Sequence, residues 1–268
     1  MDNLLSYSSL RLDLFSQDGL RLKPASGFAV EAENQHYIIT NLHILSGRDF
    51  PAGEPQEAAT TPYLLKTSIH SNGGQGEQRA PLSWGPWQRI TISLFDESGA
   101  PTWIERRAKD ADIVALPIRL NDPMRLIQSL SAFKSKMTEI NLHGDYWSRI
   151  SSIPISTIDT QVDYCPPDPV HVIGYPLGWA PAGPDKSSSA FWRASWIASE
   201  LHEPGMIQGD VFFIDPCAPE GMSGSPVIGM KDDQLKLLGV YSDRSTPEFG
   251  ANAGLVWEAW LIKELIGA

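Results

Sequence analysis

The run Gly221-Met222-Ser223-Gly224-Ser225-Pro226 sets a serine between two glycines. A serine hydroxyl attacks a carbonyl only when a base takes its proton and fixed donors receive the developing oxyanion. A tight turn at this run would aim the backbone N–H groups of Gly221 and Ser223 at one point, and glycine tolerates the dihedrals such a turn requires. The competing reading is a Gly/Ser/Pro surface turn that leads into the apolar run Pro226-Val227-Ile228. Only a base elsewhere in the chain separates the two.

Six histidines could serve: His36, His43, His70, His143, His171 and His202. His43 stands apart because Tyr37-Ile38-Ile39-Thr40-Asn41-Leu42-His43 sets it just after an apolar strand, where a rigid element can hold it facing a cleft. His36, His70 and His202 lie among polar, Gly- or Pro-containing stretches and are expected in exposed loops, whereas His171 within Pro169-Val170-His171-Val172-Ile173 is expected as a packed strand residue. A carboxylate must then orient the imidazole and stabilise its charged form. Asp112 opens Asp112-Ile113-Val114-Ala115-Leu116-Pro117-Ile118, and a charge set against so apolar a run is costly without a partner. Asp110 is the rival, since a separation of two puts it on the same face of a longer strand.

The elements that would position these groups are short and of β type. Ser9 to Phe15 alternates with period two, and further strands are expected at 27–32, 36–40, 90–95, 102–106, 112–118, 170–173, 211–214, 226–228 and 235–241. Asp96-Glu97-Ser98-Gly99 reads as a hairpin turn. Helical spacing is confined to 123–136, after Asn121-Asp122, and to 257–266. Residues 51–86, rich in Gly, Pro, Thr and Gln, read as a long surface insertion. With 22 glycines and 21 prolines spread along 268 residues, many turns between short strands are expected, which favours an all-β sandwich or barrel.

The three pieces, in the order His, Asp, Ser, resemble the trypsin-like (chymotrypsin-fold) serine protease family. Thr40-Asn41-Leu42-His43 is similar to its Thr-x-x-His element, Asp112-Ile113-Val114-Ala115-Leu116 to its Asp-Ile-Ala-Leu strand, and Gly221 to Val227 to its Gly-x-Ser-Gly-[Gly/Ser]-Pro segment. Ser26-Gly27-Phe28 resembles the family's approach to the histidine strand. Val172-Ile173-Gly174-Tyr175-Pro176 and Gly224-Ser225-Pro226-Val227 resemble the bacterial glutamyl-endopeptidase branch. The resemblance covers residues 20–45, 110–118 and 170–266, and leaves 46–89 and 119–150 without a counterpart.

This resemblance implies two six-stranded antiparallel β-barrels with a C-terminal helix. Residues 1–121 would form the barrel carrying His43 and Asp112, 122–144 a linker with a helix, and 145–268 the barrel carrying Ser223. It implies a His43-Asp112-Ser223 triad, an oxyanion hole at Gly221 and Ser223, and a substrate strand laid beside Ser242-Asp243-Arg244. The primary pocket would involve Cys217, Ser242, Arg244 and Gly254. Cys217 stands where trypsin has an aspartate, which disfavours Lys or Arg. Tyr241 stands where the glutamyl branch has a histidine, so small, apolar and acidic side chains all stay open. Met222 replaces the aspartate that, in trypsin, pairs with a freed N-terminus, so activation by that route is not expected.

Bulk properties narrow the alternatives. A net charge of −11 argues against a nucleic-acid partner. No apolar run reaches the length of a membrane span, and Met1 to Ser6 shows no basic, apolar leader, so a cytoplasmic location is expected, or a secreted one if a leader has been trimmed. Cys165 and Cys217 can form at most one disulfide, and no metal or organic cofactor is expected. An α/β-hydrolase would need Gly-x-Ser-x-Gly with a later histidine; Ser225 holds the last glycine position and no histidine follows Ser223. No His-Glu-x-x-His metalloprotease pair exists. What stays open is a serine endopeptidase acting on protein or peptide, against a catalytically silent protease fold that binds proteins.

Overall fold

Period-two alternation is realised first in β1 (Ser9–Phe15), where Leu10, Leu12 and Leu14 are buried and Arg11 and Asp13 are half-buried between them. The computed structural model describes residues 4–48, 61–70, 87–106, 111–118, 150–158, 164–177, 190–199, 210–231, 234–244 and 253–267. A short helix, α1 (Leu4–Ser8), leads into β1. It is followed by β2 (Ala25–Ala32), β3 (Gln35–Thr40) and α2 (Leu42–Ser46). Next come β4 (Leu64–His70), β5 (Trp87–Ser93), β6 (Ile104–Glu105) and β7 (Val114–Pro117). These strands form one curled antiparallel sheet in the order β5-β4-β1-β2-β3-β7-β6. β8 (Ile153–Pro154) joins it by pairing in parallel with β2. Glu33 and Asn34, both at positive φ, make the two-residue turn between β2 and β3, a conformation whose twist matches the flanking strands.

The second half is a closed barrel of six strands. Its members are β9 (Pro169–Gly174), β10 (Phe191–Ile197), β11 (Val211–Asp215), β12 (Pro226–Lys231), β13 (Gln234–Arg244) and β14 (Gly254–Glu258), in the order β10-β11-β14-β13-β12-β9. The chain then ends in α3 (Trp260–Ile266), closed by Gly267 at φ +72°. No described helix is long and apolar enough to cross a membrane.

Burial divides into three clusters. Leu12, Leu65, Ile69 and Leu116 fill the curled sheet; Val172, Phe212, Val227 and Val256 fill the barrel. The third, with Phe28, Ile113, Ile173, Val240 and Ile262, lies where the two halves meet. Arg106 ties α3 to this junction, bonding Glu264 at 3.2 Å and Asp210 at 3.5 Å over the Trp260 ring.

Several expectations change. Part of the supposed surface insertion 51–86 is β4, an inner strand between β1 and β5 whose residues alternate in burial. Its Thr and Ser content reads as loop, yet Leu65, Thr67 and Ile69 share one inward face. His70 and His36 are buried strand residues, not loop residues; each finds a serine hydroxyl, Ser151 at 3.0 Å and Ser152 at 2.9 Å. Strands β8, β10 and β14 were not expected, and Trp257 belongs to β14 while the helix begins at Trp260. His171 lies on β9, half-buried against the Trp192 ring. The expected hairpin turn at 96–99 is present, with Asp96 Oδ1 accepting from the Ser98 and Ala100 N–H groups. The expected helix at 123–136, together with His143, His202 and Asp110, lies outside the described residues.

Candidate active site

β3 ends at Thr40, Asn41 holds an extended conformation (φ −83°, ψ 149°), and α2 starts at once, so His43 is carried on a short, fixed helix. Gly47, at φ +66°, closes that helix by donating its N–H to the His43 carbonyl. Asp112 comes from the segment entering β7, whose ladder with β3 pairs Thr40 with Val114. The Asp112 side chain is 2% exposed and that of His43 19%. Burying a carboxylate so fully is costly unless donors surround it. Three do: His43 N–H to Oδ1 at 2.9 Å, His43 Nδ1 to Oδ2 at 2.7 Å and Ser242 Oγ to Oδ2 at 2.7 Å. Asn41 Nδ2 adds a 2.7 Å bond to the Asp112 backbone carbonyl.

An ionised carboxylate only accepts, so the proton between these groups sits on His43 Nδ1. In the neutral imidazole that leaves Nε2 as the unprotonated nitrogen, the form a general base must take.

Ser223 is half-buried in the turn between Pro219 and β12. Gly221 and Gly224 hold φ +92° and +87°, where other L-residues are strained. A Cβ at Gly224 would run into the Ser26 carbonyl and Thr40 Oγ1, and one at Gly221 would come within 2.7 Å of the Leu177 nitrogen. The turn's hydrogen bonds fall in a telling pattern. Leu177 N–H holds the Glu220 carbonyl at 2.8 Å and Ser225 N–H holds that of Met222 at 3.0 Å. Both following peptides are trans, so the N–H groups of Gly221 and Ser223 point the opposite way. Among the described residues neither donates to a protein acceptor, while the N–H groups of Met222, Gly224 and Ser225 all do.

Ser26 on β2 couples this turn to the first sheet. Its N–H donates to the Ser223 carbonyl (3.1 Å), its Oγ donates to the Gly221 carbonyl (2.9 Å) and accepts from Tyr175 N–H (2.8 Å), and its carbonyl accepts from Thr40 Oγ1 (2.8 Å). Met222 is fully buried in the barrel core with Tyr241 and Val227. Apolar packing therefore anchors the turn at Met222.

Of the residues singled out from the sequence, His43 and Asp112 are in direct contact, and the Ser223 turn is joined to their strand through Ser26 and Thr40. Ser242, expected in the pocket, bonds Asp112. Cys217 is half-buried with a free thiol, and Cys165 is free and exposed. Gly254 pairs with Arg244 in the β13–β14 ladder, and the Arg244 side chain lies outside the described ones. Asn41 and Ser26 stood in the motifs without a role; the signal that could have found them is a hydrogen-bonding side chain at an inward position of an otherwise apolar strand, or directly after one.

No protein-family model and no curated protein matches the chain. Solved structures do. The HtrA-type protease AlgW, solved with a tripeptide, superposes with a TM-score of 0.52 at 14% identity, covering 99% of this chain and 62% of its own. A thermostable serine protease, AL20, from an extremophilic microorganism gives 0.49 at 13%, covering 95% and 92%. The active form of the Rv3671c protease of M. tuberculosis gives 0.49 at 13%, covering 98% and 81%. The chain spans about three-fifths of the AlgW chain, and the likeness is one of fold. That fold is the chymotrypsin-like, two-barrel all-β fold of serine proteases.

Proposed function

We propose that this chain is a serine endopeptidase that cleaves peptide bonds through an acyl-enzyme. The observation that carries the reading is the buried Asp112 carboxylate bonded to His43 Nδ1 at 2.7 Å, which leaves Nε2 to act as base. His43 takes the Ser223 proton as Oγ attacks the carbonyl carbon. Asp112 stabilises the imidazolium that forms, and the N–H groups of Gly221 and Ser223 receive the oxyanion. His43 then protonates the leaving amine, and water, activated in the same way, releases the acyl group. Peptides are the substrate class because the neighbour AlgW is described with a tripeptide, and because β13 offers Ser242-Asp243-Arg244 as an edge for an added strand. Within the trypsin-like family, the Gly174-Tyr175-Pro176 segment supports a place near the glutamyl branch.

A fluorophosphonate probe tests the reading. Labelling of the wild type is expected and should vanish in Ser223→Ala and fall by at least about 1,000-fold in His43→Ala. Absence of labelling in folded wild type would favour the silent, protein-binding alternative.

A further inference from the structure

On the endopeptidase reading, the substrate side chain next to the scissile carbonyl must find room beside the Ser223 turn. β13 runs alongside the turn: Gly224 N–H donates to the Tyr241 carbonyl at 2.7 Å, and Tyr241 N–H to the Ser225 carbonyl at 2.9 Å. Beyond Tyr241 the β13–β14 ladder slips by one residue, from Tyr241↔Val256 to Arg244↔Gly254, a bulge next to the turn. Gly254 contributes no side chain there. On the facing side, the Cys217 Cα lies 3.3 Å from the point a Gly254 Cβ would take. The endopeptidase reading, with its pocket expected at Cys217, Ser242, Arg244 and Gly254, puts the substrate side chain between these walls.

Tyr241 fills the space from below. Its Cε2 lies 2.6 Å from the ideal Gly254 Cβ position, and its hydroxyl donates to the Ala218 carbonyl at 3.1 Å. The ring is 2% exposed and is packed by Met222, Val227 and Val256. Held at both ends, it cannot swing aside without leaving the buried hydroxyl without its Ala218 acceptor. Its phenol proton is committed to that carbonyl, which removes a donor that an acidic substrate side chain would need. Cys217, Tyr241 and Gly254 bring no full charge; Arg244, expected in the same pocket, does, so an acidic side chain is excluded by its size and not by charge.

We infer that Tyr241 is a specificity-determining residue: it limits the side chain preceding the scissile bond to the size of glycine, alanine or serine. This rests on the endopeptidase reading above. It goes further by excluding the larger apolar and acidic side chains that the sequence left open.

The test is a cut-site profile on a mixed peptide library, run beside fluorophosphonate labelling for wild type, Tyr241→Ala and Tyr241→Val. Since one methylene already discriminates by roughly 10–200-fold in a closed pocket, wild type should cut after Ala, Ser or Gly at least about 100-fold faster than after Leu, Phe or Glu. In a Tyr241 variant that still labels, cutting after Leu or Phe should rise at least about tenfold relative to Ala. Labelled wild type that cuts equally well after Leu, Phe or Glu overturns the assignment to Tyr241 and leaves the protease reading standing. A labelled variant with an unchanged profile overturns it as well. Wild type that neither labels nor cuts overturns the protease reading, and the inference with it. If neither variant folds, the wild-type profile alone decides.

Discussion

Asp112 accepts three hydrogen bonds in a site with almost no access to water, and these bonds differ in what they accomplish. The bond to Nδ1 fixes the tautomer of His43. Asp112→Asn keeps the size but only one of the two acceptor oxygens, and its amide can donate to Nδ1 and move the ring proton to Nε2. Turnover should then fall by on the order of 10⁴-fold with little change in thermal midpoint. The bond from Ser242 Oγ does not choose a tautomer. Ser242→Ala leaves the carboxylate one donor short, which costs about 1.5–3 kcal/mol of stability, while turnover should fall only about tenfold. Steady-state kinetics and thermal melts on the two variants separate these roles. Equal turnover losses would mean that Ser242, and not the imidazole bond alone, governs the tautomer.

At the scale of elements, the candidate site depends on β2, β3 and the nucleophile turn keeping their register, and Ser26 holds all three. Ser26→Ala removes the Oγ that joins Gly221 to Tyr175, leaving a half-buried carbonyl and a buried N–H without this partner. The expected cost is about 1–3 kcal/mol, or roughly 2–4 °C per kcal/mol for a chain of this size. Fluorophosphonate labelling should slow by at least about tenfold because the turn that aims Gly221 and Ser223 loses its brace. A variant that loses stability but labels at the wild-type rate would show that Ser26 serves folding alone. The same couplings explain what could be read from the chain beforehand. β1 was legible because Leu10, Leu12 and Leu14 alternate cleanly, and Gly221 and Gly224 because only glycine suits their dihedrals. β4 was not, since Lys66, Thr67 and Ser68 look like loop until β1 and β5 bury one face of them. β10 escaped for a related reason: Phe191, Trp192 and Trp196 are exposed on it, so its apolar residues do not mark the inward face. His43 and Asp112 could be proposed from local pattern, but the Ser242 contact joins residues 130 apart and is decided only by the packing of one half on the other.

For the whole molecule, the junction between the two halves runs through Tyr175, which follows β9. Its hydroxyl donates to the Ser9 carbonyl on β1 at 3.3 Å, while Ser9 Oγ reaches the Ile173 carbonyl at 3.2 Å. Its N–H meets Ser26 beside the nucleophile turn. Burial raises the Tyr175 pKa far above its ordinary value of 10.0, with the nearby Arg11 charge opposing the shift. Below pH 10 the phenol is neutral in both folded and unfolded chains, so the native contact is fully present. Above it the unfolded chain ionises at Tyr175 while the folded chain retains the proton, so the unfolded state gains and stability falls as pH rises. The loss from this group should reach about 1.4 kcal/mol at about pH 11. Tyr175→Phe keeps the ring in the junction, gives up the Ser9 bond at a cost of about 0.5–1.5 kcal/mol near neutrality, and removes the ionising group. Urea unfolding of both proteins between about pH 8 and 11 should therefore show the wild type losing its advantage as the medium becomes alkaline, with the two curves converging. Parallel curves across that range would mean that Tyr175 ionises as readily in the folded protein as in the unfolded chain, and that its hydroxyl is not sealed between the barrels.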